Sequence, residues 1–467
     1  MPKSPLPRPR PPAVRALHRP APAWARCAVA LALAGSAAAA HAQSLQELYQ
    51  AAHGYDSAYL AARASLEAAR FRYEQARGLR LPVVGLDLSA GRSLSSTPNT
   101  STPYTNTTGT SATLNGAQPL FNRANDVTIA QAQKGVDVSQ SDLDATEQDL
   151  ILRVSQAYFD VLAAQDNLAT ARASLAAISE QVASAKRNFE VGTATITDTR
   201  EAQARFDLAR FTQIQAENDL LTKRIQLDQT VGAINAAPRP LAVPFQTPSL
   251  APADVDDWVA RAYAEHPAIR KAQLALDIAR LDTDKAKAGN LPTVTLNGSY
   301  SRGHADIAGA VSGQTLQTYS VSTPNNTSSI GVTVNVPLFA GYQVRNRVNE
   351  TVVLEEKSRN DLETARRSVA QATRTLYYGV GSGAAQVSAL EAAESSSLLA
   401  LQATQLGFKV GVRVNIDVLN AQAQLYTTQA QLAKARYDLI MAGLRLRQAS
   451  GRLAPDDVAA VNGLLVR

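Results

Sequence analysis

The sequence predicts an α+β membrane protein of two tandem repeats, in which very long coiled-coil helices are continuous with the strands of a transmembrane β-barrel. Three observations predict this fold class. The chain repeats itself internally, and each half holds two segments in which apolar and polar residues alternate. Each half also holds a helical pattern that runs for about 70 residues without proline.

The internal duplication is clearest in two segments that align without gaps. Phe189–Gly232 and Phe408–Gly451 are identical at 13 of 44 positions. A second match, at an offset of 210 residues, ends at Leu81-Pro82 and at Leu291-Pro292. Matches at a fixed offset indicate repeated structural units. The predicted organisation is a signal peptide at 1–42, a first repeat at 43–232, a Pro-rich linker at 233–253, a second repeat at 254–451 and a C-terminal tail at 452–467.

The first 42 residues are typical of a secretory signal peptide. Six basic and no acidic residues accompany the apolar run CAVALALAGSAAAA, and the small-x-small pattern AHA predicts cleavage after Ala42. A membrane anchor is the weaker alternative because the run is short. Of the 46 basic and 40 acidic residues, 40 of each then remain, so no nucleic-acid partner is indicated. The single cysteine, Cys27, is lost with the peptide, and its place at the start of the run argues against lipidation.

Each repeat opens with an Ala-rich helical stretch and then changes to a periodicity of two. In the first repeat VGLDLSAG and SATLNGAQPLF predict strands, with strand-loop-strand over about 82–119. In the second, TVTLNGSY and IGVTVNVPLF do the same over about 292–338. Ser-, Thr- and Asn-rich segments at 95–109 and 304–329 are predicted as the loops between them.

Long helices are predicted after each Pro-Leu-Phe. Neither 122–190 nor 340–409 contains a proline, and an unbroken helix of that length would extend about 100 Å. Ordinary globular helices are several-fold shorter. Such helices need lateral partners, as in a coiled coil.

Four two-faced strands need further strands to be stable in a membrane. A sheet with one apolar face fits contact with lipid, where open edges would leave amides unpaired. The smallest spanning barrels have about eight strands, so several chains must share one barrel. Two chains would give eight strands and little lumen, and three would give twelve. The alternative is a soluble sheet packed on helices. An exported protein with such strands indicates the Gram-negative outer membrane.

These features in this order resemble the TolC family of outer-membrane channel-tunnels over essentially the whole mature chain. They are the signal peptide, the two repeats, Leu-Pro and Pro-Leu-Phe at the strand boundaries and the paired F-x-V-G…D segments. The branch that is most similar serves type I secretion. The resemblance implies a homotrimer with a twelve-stranded barrel in outer-membrane lipid and a twelve-helix periplasmic tunnel. It implies a periplasmic adaptor and an inner-membrane ABC transporter, or a proton-driven pump, as partners.

The resemblance also implies that the F-x-V-G…D segments are the turns at the periplasmic tip. Gly192 and Gly411 suit a positive φ after a helix end. Asp198 and Asp417 fall where a helix N-cap is expected, and Asp198 with Glu201 resembles a capping box. Capping and gating are equally good interpretations of Asp198.

In the family, an aromatic residue and an arginine on the second hairpin bond to an aspartate on a first hairpin and hold the tip closed. The matching residues are Phe408, Arg413 and Asp198, with Phe408 standing where a tyrosine is found in the family. Gln181 and Gln405 match a further linking pair. Asp417 and Asn420 match two acidic constriction positions, so one acidic residue of the pair is missing here.

The sequence indicates no enzyme and no cofactor. Three histidines outside the signal peptide lack ligand spacing, and GVGSG at 379–383 lacks the Lys-Ser/Thr of a phosphate loop. The function expected from the resemblance is a passive exit duct for type I protein secretion. Multidrug or small-molecule efflux is the alternative. A periplasmic adaptor, as a different class, would need one hairpin flanked by compact β modules.

Overall fold

The computed structural model describes residues 43–97, 104–242, 244–245, 252–311 and 317–466. The predicted signal peptide and its cleavage position Ala42 lie outside the described residues. The two repeats have the same element order, which is a pair of shorter helices, a strand pair, a very long helix and a return helix.

The strands form one four-stranded antiparallel sheet in the order β1-β2-β3-β4. Repeat 1 supplies β1 (Val83–Ser96) and β2 (Tyr104–Phe121), and repeat 2 supplies β3 (Thr293–Val311) and β4 (Gln317–Asn335). Within the described sheet, β1 and β4 are therefore edge strands.

The strands are longer than the sequence predicts, and the predicted loops 95–109 and 304–329 are wrong at 95–96, 104–109, 304–311 and 317–329, which are strand. Residues 98–103 and 312–316 of these loops lie outside the described residues. The sequence pattern failed because polar residues occupy both faces of the outer halves of the strands. A cross-strand polar pair stabilises one of these outer segments, because Ser322 Oγ donates to Asp306 Oδ1 at 2.7 Å. Nearer the helical end of the sheet, hydroxyl pairs have Oγ–Oγ distances of 2.8 Å for Ser89–Ser111 and for Ser299–Ser329. Such cross-strand pairs support a strand without apolar alternation.

Nine α-helices are described outside this sheet. Their bounds are α1 Leu45–Tyr55, α2 Ser57–Arg77, α3 Arg123–Glu190, α4 Ile196–Val231, α5 Val255–Glu265, α6 Pro267–Ala288, α7 Gln343–Lys409, α8 Asn415–Ala449 and α9 Pro455–Asn462. The predicted long helices are confirmed as α3, with 68 residues, and α7, with 67 residues. None of the described helices combines the length and apolarity that a membrane-spanning helix needs.

Each opening helical stretch is broken in two, which the sequence analysis did not predict. Asp56 ends α1 in an extended conformation, and its carboxylate accepts a hydrogen bond from Tyr59 N at 2.8 Å, which caps α2. His266 is extended before Pro267, which occupies the first turn of α6. Proline disfavours the helical conformation of the residue that precedes it, so the break at His266 has a local cause.

Helix α3 lies at the centre of the helical part. It packs against α2, α4, α6 and α8, while α7 packs against α6 and α8. The largest apolar cluster joins α1, α3, α4, α8 and α9 and includes the fully buried Tyr158, Leu150 and Leu227. This cluster fixes the two repeats against one another and positions both helical hairpins.

Where it is described, the predicted linker pairs with the first and the last residues of the described chain. Gln43 pairs with Pro238 in a parallel bridge, and Leu241 pairs with Leu465 in an antiparallel bridge. The hydroxyl of Tyr158 accepts a hydrogen bond from Arg239 N at 2.8 Å, and burial raises the pKa of this phenol above its usual range. The described part of the linker around Pro238–Leu241 therefore belongs to the folded body at the middle of α3.

Candidate functional site

The candidate site is formed by the two turns that join α3 to α4 and α7 to α8. Gly192 and Gly411 have φ values of 80° and 81°, in the left-handed region that favours glycine. In the first turn Thr193 N donates to Asn188 O at 2.8 Å, and in the second Val412 N donates to Gly407 O at 2.9 Å. The duplicated segments therefore build the same turn twice.

Asp198 belongs to a capping box at the start of α4. Thr195 N and Thr195 Oγ1 both donate to Asp198 Oδ2 at 2.8 Å, and Asp198 N donates to Thr195 Oγ1 at 3.2 Å. The prediction that Asp198 is the N-cap itself is wrong, because α4 begins at Ile196 and Thr195 is the cap. Asp198 occupies the third helical position, where a carboxylate completes the box.

The second turn has a weaker version of the same cap. Val414 takes the place of Thr195 and has no side-chain hydroxyl, so Asp417 is again at the third helical position and not at the N-cap. The carboxylate of Asp417 accepts one long hydrogen bond from Val414 N, at 3.4 Å. It therefore keeps more capacity for other partners than Asp198 does.

Arg413 makes its ion pair within the second hairpin. Its Nη1 lies 3.7 Å from Asp417 Oδ2, and its side chain is 60% exposed. Within the described protomer no ion pair or hydrogen bond joins Arg413 to Asp198. The single chain therefore does not bring the predicted latch pair together.

Gly407 is a site residue that the sequence analysis missed. A Cβ at this position would lie 2.8 Å from Cγ of Arg413, so only glycine leaves room for the arginine stem against the end of α7. The repeat alignment carried a weak signal, since Gly407 stands opposite Asn188 immediately before the aligned segments.

Phe408 packs within its own hairpin. Its ring is half-buried against a cluster of Leu401, Val418 and Leu425 from α7 and α8. An apolar ring is suited to these surroundings, so packing accounts for phenylalanine at this position where the family has tyrosine.

The two hairpins contact each other close to the tip. Gln181 donates a hydrogen bond to Asn415 Oδ1, and Arg205 Nη2 donates to Asn420 Oδ1 at 3.2 Å. Gln405 is half-buried on α7 and does not bond to Gln181 within the described protomer.

Apolar contacts reinforce this junction. Ile178 and Val182 of α3, Ala202 of α4 and Leu419 of α8 form one buried cluster. The partners Arg205 and Asn415 were also missed by the sequence analysis, because their contacts span more than 200 residues of chain and no local pattern marks them.

The described protomer thus has an amphipathic sheet at one end and a pair of long helical hairpins with exposed charged turns at the other. This combination defines the class of outer-membrane channels built from strands and helical hairpins. The family described as "Outer membrane efflux protein" matches residues 48–233 and 258–452. The chain belongs to this family.

Curated relatives match over nearly the whole length. The chain is 33% identical over 426 residues to outer membrane protein TolC of Vibrio cholerae, covering 90% of this chain and 93% of that protein. It is 32% identical over 435 residues to alkaline protease secretion protein AprF of Pseudomonas aeruginosa, covering 90% and 87%.

Solved structures share the fold at lower identity. The outer membrane protein VceC of Vibrio cholerae superposes with a TM-score of 0.71 at 19% identity, covering 87% of this chain and 96% of that one. The open state of the MtrE outer membrane channel of Neisseria gonorrhoeae gives 0.69 at 20% identity, covering 88% and 90%. The resemblance, the predicted fold class and the outer-membrane location are confirmed, and the family consists of channels and not of enzymes.

Proposed function

We propose that three copies of this chain form the exit duct of a type I secretion system, closed at its periplasmic tip until a periplasmic adaptor and an inner-membrane ABC transporter engage it. The observation that carries the proposal is the four-stranded sheet with two edges, β1 and β4. An edge strand in lipid must be paired, because its amides have no water to bond to. Neighbouring copies supply that pairing.

Three copies account for the duct better than two. Two sheets would give eight strands, whose interior side chains fill the barrel, whereas three give twelve and leave a lumen. The inward sheet face carries the hydroxyl pairs described above and suits an aqueous interior. A heat-modifiable trimer on gels, converted to monomer by boiling, is the expected behaviour of the purified protein in detergent.

The names of two relatives favour protein export over small-molecule efflux. AprF of Pseudomonas aeruginosa and PrtF of Dickeya chrysanthemi are both named for protease secretion, and each match covers about three quarters of this chain or more. Efflux is the second candidate because the family description and the relative BepC of Brucella suis carry that word. The duct itself is passive, so a partner must supply the energy.

One deletion strain separates the two candidates. The gene is deleted, and the deletion strain is compared with the parent strain and with the complemented deletion strain. The proteins in the culture medium and growth at graded concentrations of several drugs are measured. Loss of a secreted protein with unchanged drug tolerance supports secretion. Raised drug sensitivity with unchanged proteins in the medium would show that the duct serves efflux and not secretion.

We further propose that the tip is held closed by Arg413 of one protomer and Asp198 of its neighbour. In support, Arg413 is mostly exposed and its ion pair with Asp417 is long, at 3.7 Å. Asp198 retains a second carboxylate oxygen beyond the one used in its capping box. Three Asp417 carboxylates around the threefold axis would then form the constriction ring, with Asn420 turned away toward Arg205.

A further inference from the structure

Two arginines occupy equivalent positions on the sheet in the two repeats. The offset of 210 residues that aligns Leu81-Pro82 with Leu291-Pro292 also aligns Val84 with Val294 and Arg92 with Arg302. Both arginines are exposed. The duplication thus places a cation at the equivalent position of β1 and of β3, although the strand register aligns Arg92 through Thr108 with Asp306, four residues beyond Arg302.

Both arginines lie on the apolar face of the sheet, at the outer end of its main apolar stretch, and Leu94 is the one apolar residue of β1 that follows Arg92 on this face. The pairing register aligns Leu86 with Leu114 and Leu114 with Tyr300, so these side chains share one face. On β3 the next residue on that face after Tyr300 is Arg302. The order apolar, aromatic, cationic along one strand face is typical of a membrane interface.

The distances match the thickness of the hydrocarbon layer. Arg92 and Arg302 each lie eight residues beyond the first valine of this face, Val84 or Val294. Eight residues of strand span ~27 Å. At the usual tilt of roughly 40° this projects to ~20 Å, close to the apolar band of about 25 Å in outer-membrane barrels. The guanidinium groups therefore reach the rim of the band on the side away from the helices.

Neither arginine has an acidic partner in the described part of the chain. Arg302 forms no ion pair, and Arg92 uses only Nε, which donates to Asn106 Oδ1 at 2.8 Å. Strands β2 and β4 contain no acidic residue, so a neighbouring copy's β4 edge would offer none to Arg92 either. The acid on this face is Asp306, which accepts from Ser322 Oγ at 2.7 Å and lies 3.3 Å from His304 Nε2.

We propose that Arg92 and Arg302 bind the phosphate groups of the glycolipid in the outer leaflet of the outer membrane. The planar guanidinium donates two parallel hydrogen bonds to a phosphate, and no competing carboxylate neutralises it here. This proposal rests on the proposed function, which places the sheet in the membrane with the helices on the periplasmic side. Three copies present six such arginines as a belt around the barrel.

The test compares two lipids on the purified trimer in detergent. The probes are lipid A with both phosphates and lipid A from which the phosphates have been removed, and the number of molecules retained per trimer is counted by native mass spectrometry. The wild-type trimer is expected to bind the phosphorylated form more tightly. Arg92→Gln and Arg302→Gln each reduce that preference by roughly three- to tenfold, and the double variant abolishes it.

Two further variants separate charge from geometry and from general effects. Arg302→Lys keeps the positive charge but cannot donate two parallel hydrogen bonds, so it retains part of the preference for phosphorylated lipid A. Arg366→Gln removes an exposed arginine of α7 and leaves the preference unchanged.

Equal binding of the two lipids by the wild-type trimer would overturn the phosphate site, and so would an undiminished preference in the double variant. Failure of the proposed function would give a different experimental result. In that case the wild-type protein forms no heat-modifiable trimer and no conducting pore in planar bilayers. A trimer that conducts but does not distinguish the lipids refutes the phosphate site alone.

Discussion

Arg413 Nη1 lies 3.7 Å from Oδ2 of Asp417, four residues further along the same hairpin, and has no bond to Asp198 in the protomer. The arginine side chain is 60% exposed and the aspartate 34%. An exposed pair at this distance is worth only a fraction of a kcal/mol, so Arg413 can change partner at little cost. If the proposed gate is correct, Arg413 has two roles: it closes the tip by pairing with Asp198, and it partly neutralises Asp417 at the constriction.

Replacing Arg413 by alanine is expected to open the tip. Three exposed ion pairs of about 0.5 kcal/mol each would together favour closure by ~1.5 kcal/mol. Their loss should raise the occupancy of the high-conductance state about tenfold, as recorded from single trimers in planar bilayers.

The partner residue provides the matching control. Asp198→Asn should raise the same occupancy, and the double variant should add little to either single change, because both remove one interaction. Unchanged conductance in Arg413→Ala, or fully additive effects, would rule out the latch.

Asp417 is expected to control block by multivalent cations. Three carboxylates at a narrow mouth attract a trivalent cation, so Asp417→Asn should weaken its block on the order of tenfold. Arg413→Ala should act in the opposite direction and strengthen the block, since it removes the cation beside each carboxylate. Both are measured as the concentration of a trivalent cobalt complex that halves the current. If Asp417→Asn leaves that concentration as it was, the ring does not exist.

The long elements could be predicted because they depend on local sequence. Proline-free stretches and the Pro-Leu-Phe boundaries were enough to find α3 and α7. The outer halves of the strands could not be predicted, since their stability comes from partners on other strands. Ser322 Oγ, for example, donates to Asp306 Oδ1 of the neighbouring strand at 2.7 Å.

The candidate site shows the same division. The turn glycines follow from a local conformational requirement, whereas Thr195 was missed as the cap because Asp198 is an equally good capping residue by type. The contact between Arg205 and Asn420 depends on how two hairpins pack, which a single sequence does not encode locally.

Gly407 is predicted to set the position of Arg413. In Gly407→Ala the new methyl group would meet Cγ of Arg413 at 2.8 Å and displace the stem. The high-conductance occupancy should therefore rise in the same direction as in Arg413→Ala, by about two- to threefold, since the charge remains nearby. Asn188→Ala changes the equivalent position of the first hairpin, where no arginine follows, and should leave the occupancy unchanged. An equal rise in both variants would assign the effect to the turn itself.

Asp56 is predicted to give the protein a pH-dependent part of its stability. Arg153 donates to both carboxylate oxygens, at 2.7 and 3.1 Å, and this hydrogen bonding holds the pKa of Asp56 below its ordinary value of 3.8. A carboxyl group whose pKa is lower in the folded state stabilises that state at pH values above its unfolded pKa. The contribution is lost as the pH falls through the folded pKa.

Asp56→Asn should therefore lower the free energy of unfolding by about 2 kcal/mol at neutral pH, through the weakened cap and the unpaired Arg153. The difference from wild type should shrink below about pH 4, as the wild-type carboxylate protonates. Circular dichroism melts at several pH values measure it as a difference in midpoint. Asp149→Asn removes the exposed pair to the same arginine, at 2.8 Å, and should change the midpoint little. If the Asp56→Asn difference stays constant down to pH 3, the ionised carboxylate is not what stabilises this break between α1 and α2.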